Sequence, residues 1–118
     1  MSKDKQDLGK KGERLALMFL RQKGYQIIAR NFSSRTGEID IVAGDNGTTV
    51  FVEVKTRSST DFGRPDEAID RKKIRHLYRC AQFYIRKHAL LPEGSFRFDV
   101  VSVILSTPAK INLIKNAF

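Results

Sequence analysis

The sequence predicts one α/β domain in which a mixed β-sheet is flanked by helices, with the elements in the order αβββαββ. Three observations predict it. Residues 8–23 and residues 70–88 carry the apolar period of amphipathic helices, and residues 37–57 alternate like a β-hairpin. A chain of 118 residues is the usual size of one domain, and no stretch rich in Pro, Gly and Ser divides it. We therefore expect residues 1–118 to form a single domain.

The N-terminal half is predicted to hold a helix, a short strand and the hairpin. The helix of residues 8–23 ends at Gly24, a residue type that often stops helices. A strand follows at residues 25–31. After the hairpin, residues 57–66 contain Ser, Gly and Pro and are predicted to form a mobile loop.

The C-terminal half is predicted to hold the second helix and two strands. Asp70 is placed to cap the helix of residues 70–88. Residues 96–105 and residues 110–118 are the predicted strands. The apolar stripe of the helix is formed by Ile74, Leu77, Tyr78, Ala81 and Ile85.

The hairpin can be put in register from its turn. Asn46-Gly47 is a strong signal for a two-residue type I′ turn, because both central residues need positive φ. This turn pairs Asp45 with Thr48. Counting outward, one face is entirely apolar and is expected on the core. Its pairs are Ile39 with Val54, Ile41 with Val52, and Ala43 with Val50.

The opposite face of the hairpin brings two carboxylates together, because it pairs Asp40 with Glu53 and Glu38 with Lys55. Directly opposed residues have Cβ atoms roughly 4.5–5.5 Å apart, where like charges are destabilising. A four-residue loop would instead make Asp40 a diagonal neighbour of Glu53 on the same face. In either register, two abutting carboxylates need a counter-charge, a shared proton or a metal ion.

A metal ion explains this pair of acids. Carboxylate oxygens suit Mg²⁺ or Mn²⁺, which favour sites shared with phosphate oxygens. Lys55 lies on the same side of its strand as Glu53, where its ammonium could orient or deprotonate an attacking water. The pattern therefore predicts hydrolysis of phosphodiesters. The alternative is an exposed sheet face on which Glu38 and Lys55 form a surface ion pair and the acids are solvated.

Charge indicates a polyanionic partner. The chain has 22 Lys and Arg against 13 Asp and Glu, a formal net charge of +9 and a pI of about 10.0. We expect nucleic acid ahead of anionic lipid. No apolar stretch of 18 residues is present to cross a membrane, so no membrane partner is expected. The N-terminus lacks the apolar middle section of a signal peptide, which favours a cytoplasmic location.

Basic side chains are candidates for nucleic-acid contacts. Arg57 and Arg64 flank the predicted loop and could close over a backbone. The second helix carries a basic stripe, for which a solvated helix flank is the alternative interpretation. We define the basic stripe as Lys72, Arg75, Arg79 and Arg86.

Two further acids have two interpretations each. Glu13 shares a helical stripe with apolar residues, which supports a role in the site. The alternative is an acid favoured by the helix dipole near an N-terminus. Asp99 lies among strand residues, and we expect it to support the site rather than to pair with a nearby base.

These motifs together resemble a known family. "GEIDIVAGD", "VFVEVKTR", "GKKGERLA", "RKKIRHLYRCAQFYI" and "RFDVVSV" resemble the bacterial YraN family of endonuclease-like proteins over nearly the whole chain. That family looks like a minimal member of the PD-(D/E)XK nuclease superfamily and is similar to archaeal Holliday junction resolvases. The resemblance implies a restriction-endonuclease-like core.

The resemblance also implies roles for particular residues. Asp40 and Glu53 would bind Mg²⁺ (or Mn²⁺), the backbone carbonyl of Val54 would add a ligand, and Lys55 would serve the catalytic water. Glu13 matches an additional acid found near such sites. The implied activity is hydrolysis of nucleic-acid phosphodiesters, and the substrate that we expect is DNA, including branched or structured DNA. The alternative is a nucleic-acid-binding protein that keeps this fold without cutting, because some superfamily members have lost catalysis. Ile39 stands where the superfamily's name expects proline.

Overall fold

The elements of the structure follow the predicted order. The structure is a computed structural model that describes residues 3–58, 70–90 and 94–118, with side chains described from residue 6 onward. Most of the predicted loop, residues 59–66, lies outside the described residues. The elements are α1 (Lys3–Gln22), β1 (Gln26–Ser34), β2 (Gly37–Asp45), β3 (Thr48–Arg57), α2 (Arg71–Lys87), β4 (Phe96–Ile104) and β5 (Lys110–Ile114).

Three element boundaries differ clearly from the predicted ones, and one of these is the end of β5, which stops at Ile114 whereas the predicted strand runs to residue 118. Helix α1 begins at Lys3, about one turn before the predicted start, because its first residues are polar and give no apolar period. Strand β1 continues to Ser34, beyond the predicted end at residue 31. Helix α2 agrees with the prediction, and the side chain of Asp70 accepts a hydrogen bond from the backbone N–H of Lys73 as its N-cap.

The five strands form one mixed sheet in the order β1-β2-β3-β4-β5. Strands β3 and β4 are parallel, and the other neighbouring strands are antiparallel. Parallel neighbours need a crossover connection, and α2 lies in the segment that supplies it. This is the predicted α/β architecture, and it is compatible with a restriction-endonuclease-like core.

The helices cover opposite faces of the sheet, because alternate strand residues pack against different helices. The core on the α1 face contains Ala16, Leu17, Leu20, Ile41, Ala43, Val50, Val52, Val101 and Val103. The core on the α2 face contains Ile39, Val42, Phe51, Leu77, Cys80, Ala81, Tyr84 and Phe98. The buried stripe of α2 is thus slightly rotated from the predicted one, since Tyr78 is 43% exposed.

The predicted type I′ turn is present, with φ of 50° at Asn46 and 86° at Gly47. Backbone pairing runs as predicted from Asp45 opposite Thr48 to Ile41 opposite Val52.

The predicted pairing of β2 with β3 does not continue beyond Ile41. The backbone N–H of Val54 donates to Oδ2 of Asp40 at 2.8 Å, so a side-chain bond takes the place of a ladder bond. Ile39 packs in the α2-side core, so the prediction that it shares a face with Ile41 was wrong. The alternation of β2 is interrupted between Ile39 and Ile41, which pack on opposite faces of the sheet, and Asn31 of the neighbouring strand adopts a left-handed φ of 53° beside this point.

Within the described ranges, neither helix is both long enough and apolar enough to span a membrane.

Candidate functional site

The two predicted acids lie where β2 and β3 stop pairing. Asp40 comes from β2 and accepts the hydrogen bond from Val54, while Glu53 comes from β3 and is 6% exposed. A cleft of about 890 Å³ opens between α1 and these strands. Its lining includes Glu13, Glu38, Asp40, Val54 and Lys55. The cleft therefore reaches Asp40 directly, whereas Glu53 is not one of its lining residues.

The surroundings of both acids disfavour their ionised forms. Burial raises the pKa of Asp40 to about 7, and the negative charge of Glu53 adds to the rise, against the opposing hydrogen bond from Val54. Glu13 and Glu38 contribute in the same direction. Burial also raises the pKa of Glu53. A carboxylate pair with this electrostatics favours a proton or a cation between its members.

Two lysines supply positive charge to Glu53. The Nζ of Lys55 lies 4.0 Å from Oε1 of Glu53, and the Nζ of Lys73 lies 3.6 Å from the same oxygen. Both lysines oppose the rise in the pKa of Glu53. Lys55 therefore pairs with Glu53, whereas Glu38 is exposed and forms no ion pair within the described ranges, contrary to the surface-pair alternative.

Lys73 was not among the site residues predicted from the sequence. Its position four residues before Leu77 and seven before Cys80 places it on the buried stripe of α2. A cation that continues an apolar stripe is a usable sequence signal, because a lysine there must reach an acid or solvent.

Two buried carboxylate oxygens lack hydrogen-bond partners in the part of the chain that the structure describes: Oε1 of Glu13 and Oε2 of Glu53. The side chain of Glu13 is 17% exposed, and its nearest cation is Nη2 of Arg30, at 3.7 Å. Unpaired buried oxygens are costly unless a proton or cation satisfies them. Hard oxygen donors of this kind fit Mg²⁺ or Mn²⁺.

The described residues contain no group of three or more His, Cys, Asp and Glu side chains arranged to hold a metal ion. Mg²⁺ does not require such a group, because it is commonly bound by one or two carboxylates with waters and substrate phosphates. The contact that the structure gives Val54 is through its N–H. Its carbonyl remains a predicted ligand.

Glu13 reaches the cleft because α1 lies very close to β3. A Cβ added at Gly12 would overlap the side chain of Thr56. Only glycine allows this approach without displacing one element. The next residue on the helix is Glu13, so the close packing of α1 on β3 brings this acid to the cleft.

The predicted nucleic-acid contacts divide into described and undescribed residues. All four side chains of the basic stripe are exposed on α2. Arg57 is half-buried at the end of β3, and Arg64 lies outside the described residues. Their contacts with nucleic acid remain predictions.

Asp99 belongs to a different network. It is fully buried, accepts hydrogen bonds from Arg97 Nε at 2.9 Å and from the Tyr25 hydroxyl at 2.8 Å, and also accepts the N–H of Asn116. Arg97 also bonds to Asp45 at 2.8 Å. Asp99 therefore pairs with a base, and our expectation that it supports the site acids was wrong. Strand position alone does not distinguish the two roles.

Comparison with known proteins identifies relatives. A family model described as "Uncharacterised protein family UPF0102" matches residues 12–103. The chain is 49% identical to a UPF0102 protein of Persephonella marina over 110 residues, covering 93% of this chain and 91% of the relative. It is 47% identical to one of Caldicellulosiruptor saccharolyticus over 118 residues, covering 98% and 99%. A UPF0102 protein of Clostridium botulinum is 47% identical over 115 residues, covering 95% and 94%.

The family match covers α1 from Gly12, the whole β2–β3 hairpin with Asp40 and Glu53, α2, and nearly all of β4. The chain therefore belongs to the UPF0102 family, the YraN family that its motifs resemble.

Proposed function

We propose that this protein is a Mg²⁺-dependent nuclease that hydrolyses phosphodiester bonds of DNA. The observation that carries the proposal is the proximity of Asp40 to Glu53 at the point where the pairing of β2 with β3 stops. Both carboxylates are mostly removed from water and both have raised pKa values, so their charged forms are stable only beside a cation. The adjoining cleft gives an extended ligand access to Asp40.

The metal would be held by the carboxylates of Asp40 and Glu53 and by the backbone carbonyl of Val54. Glu13 is a further acid of the same cleft. Mg²⁺, or Mn²⁺ in its place, supplies charge that polarises a phosphate and lowers the pKa of a water molecule. The unpartnered Oε2 of Glu53 supports this assignment.

Lys55 would act on the attacking water and on the developing negative charge. Its ammonium lines the cleft and lies beside Glu53, where it can hold a water by hydrogen bond. In the hydrolysis, the water oxygen bonds to phosphorus and the bond from phosphorus to the leaving sugar oxygen breaks. The proton lost by the water balances the charge on the leaving oxygen.

Basic side chains outside the cleft would position the nucleic acid. The basic stripe on α2 together with Arg57 and Arg64 supplies charges that attract the phosphate backbone regardless of its sequence. The net charge of +9 supports this role.

The alternative function is binding of nucleic acid without cleavage. The ion pairs that Glu53 forms with Lys55 and Lys73 favour it, because they already give this carboxylate positive partners. Under this alternative the acids stabilise the fold around a basic surface.

A cleavage panel tests the two functions. Labelled single strands, duplexes, flaps and four-way junctions are incubated with Mg²⁺, Mn²⁺ or EDTA. Wild type should cut at least one of them with metal and none in EDTA. Asp40→Asn should lose cleavage, and Lys55→Ala should lose about 100-fold or more in rate while still binding DNA.

The matched control is Lys23→Ala, because Lys23 lies outside the cleft and contacts the ring of Phe19. It should cut like wild type. Equal cleavage by an identically purified Asp40→Asn protein would reject the nuclease proposal. Binding without cleavage in the whole panel would favour the alternative.

A further inference from the structure

A second pocket lies between the β1–β2 turn and the outer face of α2. It has a volume of about 400 Å³, within the range of small-ligand sites. Its lining combines guanidinium groups with hydroxyl groups and one aromatic ring. The lining residues that matter here are Ser34, Arg35, Thr36, Arg79, Phe83 and Arg86.

The fold sets these residues side by side. The turn leads into Gly37, whose carbonyl oxygen lies 3.6 Å from the Cys80 Sγ on α2. The turn is therefore held against the helix. On α2, Arg79, Phe83 and Arg86 follow one another at i, i+4 and i+7 and so share a face. Arg35 meets that face from the turn.

The three arginines of this pocket are available to an anion. Within the described ranges none of them forms an ion pair, and all three side chains are exposed. A guanidinium presents a planar fork of donors that matches phosphate oxygens. The hydroxyl groups of Ser34 and Thr36 lie at the same edge and are hydrogen-bonded to each other at 3.1 Å, which leaves one of the two free to donate to a ligand.

Phe83 gives the pocket a second kind of contact. Its side chain is 41% exposed. The centroid of its ring lies 6.0 Å from that of Phe32, so the two rings pack together. An exposed ring set among arginines is the arrangement with which proteins stack unpaired bases. Paired bases are already stacked within a duplex and cannot use it.

We propose that this pocket binds one unpaired nucleotide, with its base stacked on Phe83 and its phosphates held by Arg35, Arg79 and Arg86. The inference rests on the proposed nucleic-acid function and adds that the substrate contains a single-stranded segment. The pocket is separate from the two acids, because Phe83 lies about 15 Å along the axis of α2 from Lys73, which contacts Glu53.

Binding of labelled oligonucleotides in EDTA tests the pocket without cleavage. The two probes are a 12-nucleotide oligo-dT and a 12-unit abasic strand with the same phosphates. Wild type should bind oligo-dT about tenfold more tightly than the abasic strand, measured by fluorescence anisotropy. Phe83→Ala should bind both probes with the affinity that wild type has for the abasic strand.

Two further variants make the result specific. Tyr78→Ala removes another exposed ring from the same helix and should keep the tenfold preference. Phe83→Leu keeps an apolar contact with Phe32 and should lose the preference, which guards against a folding defect in Phe83→Ala. Arg79→Ala should weaken both probes equally and reduce the salt dependence by the share of about one phosphate contact.

Equal affinity of wild type for the two probes, or an unchanged preference in Phe83→Leu, would overturn the proposal. This failure is distinct from failure of the nuclease proposal. A protein that stacks bases through Phe83 but cuts nothing in the panel keeps the pocket and loses the nuclease. A protein that cuts DNA but binds both probes equally, with or without Phe83, keeps the nuclease and loses the pocket.

Discussion

The raised pKa of Asp40 should make the free energy of unfolding depend on pH. Its carboxyl group has a pKa of about 7 in the folded protein, chiefly through burial, against about 3.9 for an unfolded aspartate. Between these values the folded state binds more protons than the unfolded state. Without metal, the free energy of unfolding should therefore fall as pH rises from about 4 to about 7, and this contribution should be constant above.

Replacing Asp40 with Asn should remove this fall in the free energy of unfolding. In EDTA at pH 8, Asp40→Asn should be more stable than wild type by roughly 1 kcal/mol, with the difference shrinking towards pH 4. Urea unfolding at pH 5 and pH 8 measures it. Asp7→Asn, at an exposed acid of α1, is the control and should show no such pH-dependent gain. A less stable Asp40→Asn protein at pH 8 would mean that the charge of Asp40 stabilises the fold.

Lys73 should contribute more to the free energy of unfolding than its neighbour Lys72 does. Its ammonium is the nearest described cation to Glu53, whose side chain is 7% exposed. Lys73→Met should lower the free energy of unfolding by about 1 kcal/mol at pH 7 in EDTA, because the buried carboxylate loses a partner. Lys72→Met is the matched control and should be nearly neutral. Equal effects of the two variants would show that Lys73 acts only as surface charge.

The close packing of α1 on β3 can be tested by replacing glycines of the helix. Gly→Ala in a helix usually stabilises by up to about 1 kcal/mol. Gly9→Ala should do so, because an added Cβ meets nothing within 4 Å. Gly12→Ala should instead destabilise by about 1–3 kcal/mol, because its Cβ overlaps Thr56 and pushes α1 from the sheet.

Thermal and urea unfolding of these two variants measure the contrast. Gly12→Ala should also reduce any metal-dependent activity, since it displaces Glu13 from the cleft. If Gly12→Ala were as stable as Gly9→Ala, the close contact between α1 and β3 would not exist in solution.

Elements were predictable where local chemistry decides them. The type I′ turn follows from Asn46-Gly47, and the start of α2 follows from its Asp70 cap. The interruption of β2 was not predictable, because counting along a hairpin assumes a continuous ladder. Asn31 lies outside residues 37–57, and the alternation within that segment does not signal the bond from the Val54 N–H to the Asp40 side chain.

At the scale of the whole molecule, charge should dominate the binding of nucleic acid. Affinity should fall steeply as salt rises, because each neutralised phosphate releases counterions. Changing Lys72, Arg75 and Arg79 together to alanine should reduce the slope of log affinity against log salt by about 2–3. Anisotropy titrations from low to moderate salt measure this slope.

A charge-matched control separates contact from net charge. Replacing Arg21, Lys23 and Lys115 removes the same number of charges from exposed positions outside α2. This control should leave the slope nearly unchanged. Equal slopes in the two triple variants would remove the basic stripe from the binding surface.

The site itself was only partly predictable from the sequence. Asp40, Glu53 and Lys55 were predictable neighbours because adjacent strands joined by a short turn carry all three, but the predicted direct pairing of Asp40 with Glu53 is absent, since the ladder stops at Ile41 opposite Val52. Lys73 and Phe83 come from α2, and their neighbours are set by how that helix crosses the sheet. Contacts between elements distant in sequence depend on this packing, which periodicity alone does not give.

Metal-dependent stabilisation tests the central claim most directly, since it needs no substrate. Wild type and Asp40→Asn are melted in EDTA and again in millimolar Mn²⁺ and Mg²⁺. A metal held by Asp40 and Glu53 should stabilise wild type by about 2.7 kcal/mol at 100 times its Kd, and raise its Tm, while leaving Asp40→Asn nearly unchanged. No metal-dependent shift in wild type, together with an Asp40→Asn protein that is less stable in EDTA, would contradict the two-carboxylate metal site and the nuclease assignment built on it.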